Sequence, residues 1–292
     1  MAGEEVGGGE CGAHLELRFM IMDSHPSLTT KQSNVAPRPG SEPLQAGCLI
    51  VNADDWGRDR ETTDRTLECS QEGALSSVSA MVFMEDSERA AALAGEHRID
   101  AGLHLNLTLA FSDSINATLS GHQERISRYL RSRRVAQALF HPGLAQSFAY
   151  VVAAQLEEFA RIYGHAPGRI DGHHHMHLAA NVMFPGLLPE GTILRRNFSF
   201  QAGEKGLVNR AYRGVLDGWL GRRHLLTDYF FSLPPLETSR LERMALLAKA
   251  SVVEAETHPI NPEEHHFLCS GKIFQWVGSI APGYVTRAGA SR

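Results

Sequence analysis

Beyond residue 47 the chain alternates between short apolar runs and longer segments whose apolar residues recur every three to four positions. Cys48-Leu-Ile-Val-Asn-Ala-Asp54 is a short apolar run ending in acids, the pattern of a buried parallel strand. A polar helical stretch follows from about residue 60 to 72, with Gly73 at a C-cap position. The pattern then predicts a strand over 77–83, a helix over 87–95 and a strand over 99–105. Between Leu107 and Pro142 it weakens, and Arg125, Arg128, Arg131, Arg133 and Arg134 crowd together as a solvated helix face or lid. A strong helix is predicted over 145–163, where Phe148, Val152, Leu156, Phe159 and Tyr163 keep helical spacing and Gly164 ends it. Strands are expected over 169–173, 192–196, 228–233 and 251–256. Between them lie a short helix or turn over 181–188, interrupted by Pro185, and helices over 207–220 and 239–250.

Repeated strand–helix units without a change of composition favour one parallel α/β domain over 47–292. Residues 1–46 are rich in Gly, Ser, Pro and charge and read as a poorly ordered extension, with one short apolar patch at Leu15–Met22. The net charge of −5 argues against a nucleic-acid partner. No run reaches the roughly 18 to 20 apolar residues of a membrane-spanning helix. Glu4 and Glu5 stand where a signal peptide would be basic. Cys11, Cys48, Cys69 and Cys269 have no paired spacing and read as reduced thiols of a cytoplasmic protein.

The unusual feature is histidine: there are 15, and His173, His174, His175 and His177 fall within one short segment. Polar residues also gather where the predicted strands end: Asp54 and Asp55, His104, His173, Arg195 and Arg196, and His258. In parallel α/β folds those ends converge on one face, where sites are built. Each residue has a plainer reading. The paired acids suit the N-terminus of the next helix, and a lone His104 in an apolar alternation is more often a hydrogen-bonded core residue than a ligand. The four-histidine segment is too dense for a core, because every buried ring needs partners for two nitrogens. Metal binding explains it better, with His174 and His175 as candidates for substrate or carboxylate contacts. A carboxylate and two imidazoles on a divalent ion leave room for water and substrate. A second carboxylate beside them can take the water's proton, and a histidine opposite can protonate a leaving nitrogen. If the first strand stays extended, alternation points Asp54 and Asp55 to different sides of the cleft.

Four segments in order, Val51–Gly57, Gly102–Thr108, Asp171–His177 and Val253–Pro259, resemble the motifs of the YdjC-like carbohydrate deacetylases, which include chitooligosaccharide deacetylase and hopanoid-pathway relatives. Gly73–Met81 is similar to the family's second strand. The resemblance implies a distorted (β/α) barrel of the polysaccharide-deacetylase type holding one divalent metal ion, Mg²⁺ or Zn²⁺. It places that ion on Asp55, His104 and His173, makes Asp54 the general base and His258 the general acid, and sets Glu254 near the site. An arginine that orients base or substrate corresponds to Arg195 or Arg196, and the pattern does not choose between them. The implied partner is an N-acetylated sugar or amino-sugar-containing small molecule, and a homo-oligomer is compatible with it. Trp56 replaces a usual phenylalanine, Gly172 a common serine and Ile260 a frequent glycine, which spares every implied ligand but leaves the particular sugar open.

Two other readings use the same residues: a metal-dependent phosphoesterase or other amidohydrolase, and a non-catalytic metal- or sugar-binding protein on this scaffold. Asp54 and His258, which metal binding alone does not need, weigh against the second.

Overall fold

Each of the seven expected strands belongs to one parallel sheet. The computed structural model describes residues 47–113, 116–133, 135–200 and 206–286; the expected extension over 1–46 and Arg134 lie outside the described residues. In chain order the elements are β1 (Cys48–Trp56), α1 (Arg60–Gln71), β2 (Ser77–Ala80), α2 (Ser87–His97), β3 (Ala101–Leu105), α3 (Ala117–Ser132) and α4 (Ala145–Tyr163). There follow β4 (Arg169–Gly172), α5 (Ala180–Met183), β5 (Ile193–Leu194), α6 (Leu207–Leu220), β6 (Tyr229–Ser232), α7 (Thr238–Ala248), β7 (Val252–Thr257), α8 (Pro262–Cys269) and α9 (Phe274–Val277). The strand order is β5-β4-β3-β2-β1-β7-β6. The sheet curls: the segment after β5 reaches β6, with Ser199 N–H donating to Phe230 O over 2.8 Å. No helix among the described residues is long and apolar enough to cross a membrane.

Strand side chains alternate, so each strand gives one row to the helices and one to the barrel axis. The helix-facing row is apolar. Ala53, Val78, Ala80, Leu103, Leu105 and Ile170 pack with Phe148, Val152 and Phe159 of α4. Leu49, Val51, Phe231, Val253 and Ala255 pack with Leu241 and Met244 of α7 and Leu268 of α8. The axial row is polar and buried: Asn52, Asp54, Ser77, Ser79, His104, Arg169, Asp171, Glu254 and Glu256. Buried polar groups need partners, and these bond one another. Ser77 Oγ donates to Asn52 Oδ1 at 2.7 Å, Ser79 Oγ to Asp171 Oδ2 at 2.5 Å, and Arg169 to both Ser79 and Asp171. Gly102 makes room for that guanidinium, since a Cβ there would meet Arg169 Cζ at 2.7 Å.

The C-terminal segment closes the bottom of this polar interior. Tyr284 stacks under Arg169, with Cζ 4.5 Å from its ring centroid, and its hydroxyl donates to Glu254 at 2.5 Å. Where the basic residues obscured the pattern, α3 buries Leu119, Gln123, Ile126 and Leu130 and leaves Arg125, Arg128 and Arg131 exposed, a solvated helix face.

Candidate active site

β1 does not stay extended to its end. Asp55 has φ 66°, a left-handed conformation that costs a non-glycine residue on the order of 1–3 kcal/mol. His104 Nε2 lies 3.3 Å from Asp55 Oδ1 and 3.9 Å from Asp54 Oδ2, and both acids line one cleft. The extended strand end on which alternation would point the two acids to different sides of the cleft is not present at Asp55. Neither acid caps α1; that is done by Asp59, whose side chain accepts from Thr62 N–H.

Beyond β4 the chain tightens into a 3-10 turn, His173–Leu178, with His174 and His175 both left-handed at φ 54° and 57°. The four imidazoles are thereby sent to four places. His173 Nδ1 lies 3.0 Å from Asp55 Oδ1. His174 packs against His173 at a 33° tilt, ring centroids 4.0 Å apart, and meets Thr108 Oγ1. His175 packs edge-on against Phe198, with Nε2 3.7 Å from Glu256. His177 is fully buried, its Nε2–H donating to Arg195 O at 3.0 Å.

One oxygen of Asp55 and one nitrogen each of His104 and His173 thus lie within 4.8 Å of one another. Metal–N and metal–O bonds of about 2.1 Å place neighbouring ligand atoms about 3.0–3.4 Å apart. The 3.0 and 3.3 Å spacings about Asp55 Oδ1 fit that requirement. The other Asp55 oxygen is occupied by Arg58 Nη1 at 2.7 Å, which leaves a single carboxylate oxygen for an ion. His104 Nδ1 is fixed by Asp171 Oδ1 at 2.6 Å, the outer carboxylate that orients ligating histidines.

The charges agree with a cation at this place. Burial pulls the His104 pKa down, yet the Asp54 and Asp171 carboxylates, with hydrogen bonds to Asp171 and Asp55, raise it to about 10. Burial works against ionised Asp55, but hydrogen bonds from His104 and His173 hold its carboxyl well below the usual range. The same negative field that retains a proton on His104 favours a divalent ion.

Arg195 and Arg196 part company. Arg195 is fully buried and grips both Asp54 oxygens at 2.7 Å, with Nε on Glu254 at 2.8 Å and further contacts to Glu256 and Asp171. Arg196 turns to Asp217 and the Thr227 and Asp228 carbonyls. Glu254 lies deep, between Arg195 and Tyr284, and Glu256, one strand repeat on, reaches the cleft wall. Glu256 and Asp171 were legible only as polar positions in their motifs. Burial and the Asp54 carboxylate push Glu256 well above the usual carboxylate range, so it can donate a proton or hydrogen bond. His258 lines the same cleft from the end of β7, its N–H donating to Glu264 Oε2 of α8 at 2.8 Å. The cleft encloses about 400 Å³.

An acidic, histidine-lined cleft at the carboxyl ends of a curled parallel sheet defines the class as an α/β protein whose Asp55, His104 and His173 form a candidate metal-ligand group beside the Arg195-bound Asp54. The YdjC-like protein family matches residues 48–274, and the chain belongs to it. It is 29% identical over 135 residues to the chitooligosaccharide deacetylase of Yersinia pestis (strain Pestoides F), covering 46% of this chain and 52% of that protein. The counterpart in Yersinia enterocolitica serotype O:8 is 26% identical over 170 residues, 57% of this chain and 66% of that protein. The chain thus spans about half to two thirds of the length of these curated relatives. A crystal structure from Enterococcus faecalis V583, provisionally assigned to cellobiose-phosphate cleavage, covers 81% of this chain and 97% of its own with TM-score 0.58 and 18% identity. That likeness speaks for the fold alone.

Proposed function

We propose that the chain is a metal-dependent carbohydrate deacetylase, hydrolysing the acetamide of an N-acetylated amino sugar or glycoconjugate. The observation that carries this reading is the position of Asp54. It stands outside the Asp55–His104–His173 triangle yet faces the same cleft, with both oxygens fixed by Arg195. A protein that only held an ion would not need it.

Asp55, His104 and His173 would hold the divalent ion, Mg²⁺ or Zn²⁺. Such an ion polarises the acetyl carbonyl and makes water more acidic. Arg195 keeps Asp54 ionised and aimed; Oδ1 accepts from both Arg195 and Asn52, while Oδ2 accepts from Arg195 and retains a lone pair for the water's proton. His258, anchored through its backbone by Glu264, protonates the leaving amine. Asp171 holds the His104 ring in place. His174 and His175 also border an adjoining cavity of about 150 Å³ with Asn197 and Phe198, which gives a sugar larger than its acetyl group somewhere to lie. Arg58, Arg195 and Arg196 are each engaged by a carboxylate, which counts against phosphate ester cleavage.

The test is acetate release from N-acetylated mono- and chito-oligosaccharides by chelated protein, with Mg²⁺ or Zn²⁺ then restored. Metal-dependent release that His173→Ala abolishes, together with its bound metal, supports the reading. Cleavage of aryl phosphates with no acetate from any sugar would replace it with the phosphoesterase.

A further inference from the structure

Cys69 and Cys269, 200 residues apart in sequence, meet on the outside of the barrel. Their sulfurs are 3.3 Å apart where α1 packs on α8. One turn back along α8 stands His265, with Nε2 3.5 Å from Cys269 Sγ. The same Nε2 lies 2.8 Å from Glu68 Oε2 on α1. Cys69, His265 and Cys269 each present one ligand atom within 4.8 Å of the others. Cys69 is buried, while Cys269 and His265 are partly exposed, so an ion has a route in from solvent.

We propose that Cys69, His265 and Cys269 form a second, structural metal site of zinc type, its fourth position open to water on the exposed side where Glu68 meets His265. The donor set is two sulfurs and an imidazole, one from α1 and two from α8. Zn–S bonds of about 2.3 Å and Zn–N bonds of about 2.0–2.1 Å separate two tetrahedral sulfurs by about 3.8 Å and a sulfur from a nitrogen by about 3.5 Å. The Cys269–His265 spacing of 3.5 Å already meets this, and the sulfurs need open by only about half an ångström. His265 and Cys269 sit at i and i+4, on one face of a single turn. Burial, with Cys269 beside it, pushes the Cys69 thiol up, so Cys69 is not poised as a reactive thiolate.

The site's place in the fold gives it a purpose. α1 follows the two acids of β1, and α8 follows His258 at the end of β7. Glu264 of α8 accepts from the His258 N–H and the Thr257 hydroxyl. Pinning α8 to α1 therefore fixes the loop that carries His258 against the helix that leaves Asp54 and Asp55.

Cobalt substitution of the full-length, reduced protein separates this site from the cleft, whose donors are only oxygen and nitrogen. The expected result is a thiolate-to-cobalt charge-transfer band, saturating with one thiolate-bound cobalt per chain once two equivalents are added, with the strong visible bands of tetrahedral Co²⁺. Zinc should displace the cobalt and protect Cys69 and Cys269 from a thiol reagent. Cys269→Ala and His265→Ala, at partly exposed positions, should lose the thiolate band or weaken it at least tenfold and still bind cobalt in the cleft. His173→Ala should keep it. Absence of the thiolate band in reduced wild type, or equal thiol reactivity with and without zinc, overturns the proposal. A thiolate band that survives Cys269→Ala overturns the assignment of ligands.

Discussion

Asp54 and Arg195 form the contact on which the proposed chemistry turns. Burial alone would favour neutral Asp54; the Arg195 guanidinium and nearby His104 hold its carboxyl below the usual range. Asp54→Asn keeps the shape but cannot take a proton. Metal content should stay near wild type while acetate release falls roughly 10²- to 10⁴-fold, the usual worth of general acid–base help. Both quantities are measured on one preparation, and loss of metal along with turnover would make Asp54 a ligand instead. Arg195 has a larger structural task, since Asp54, Asp171, Glu254 and Glu256 all lean on it. Removing one partner of a buried ionic network costs about 3–5 kcal/mol. Arg195→Met should therefore lower unfolding free energy by that order in urea titration, and a change under about 1 kcal/mol would contradict the network's role. Residue type and strand-end position were enough to single out Asp54, His104 and His173. Asp171 and Glu256 were not, because a polar residue inside a strand ordinarily marks the solvent side, and Tyr284 lies beyond the last strand.

That inversion also governs what was legible at the scale of elements. The seven strands announce themselves as short apolar runs because their helix-facing rows are apolar, and α4 shows its buried stripe plainly. Ser77-Val-Ser-Ala80 in β2 alternates as a half-exposed strand would, yet its serines face a buried polar axis. The left-handed turn at Asp55 has no glycine to signal it. The segment beyond Pro259, including α8 and the Tyr284 plug, acts through contacts distant in sequence that no local pattern reveals. Gly172, by contrast, gains an explanation. A Cβ there would meet His177 N at 2.8 Å and His177 Nδ1 at 3.0 Å, so the turn after β4 is too tight for a side chain. Gly172→Ser, which installs the residue common in the family, should push His177 and the turn outward. Displacement of His173 from Asp55 should then weaken metal binding, with a stability loss of about 1–3 kcal/mol for the overpacking. Isothermal titration with the metal and thermal melting check the two effects; unchanged affinity would show that the turn can give.

For the molecule as a whole, a barrel with an ionisable axis ties stability to pH through buried histidines acting in opposite senses. His177 is wholly buried, and only one of its nitrogens has a partner: Nε2–H donates to Arg195 O, while Nδ1 has none. Burial, against the smaller pull of that hydrogen bond, lowers its pKa from 6.5 to about 4. A histidine held neutral in the fold is protonated first in the unfolded chain. Stability should thus fall as pH drops from about 6.5 to about 4, by on the order of 3 kcal/mol, and this contribution is constant outside that window. His175 is shifted in the same direction, chiefly by burial. His104 works the other way: raised to about 10 despite burial, it contributes stability that is complete below pH 6.5 and lost as pH rises toward 10. The chelated protein should consequently be most stable near pH 6.5. A bound divalent cation, taking the His104 lone pair in place of the proton, should abolish the alkaline decline and leave the acid one. Urea unfolding from pH 4 to 10, with chelator and then with Zn²⁺ or Mg²⁺, reads this directly. His177→Gln retains a donor for Arg195 O but cannot titrate, so it should flatten the acid limb and spare the alkaline one. An unchanged acid limb in that variant would assign the proton uptake to other groups, and an alkaline limb indifferent to metal would remove His104 from the ligand set.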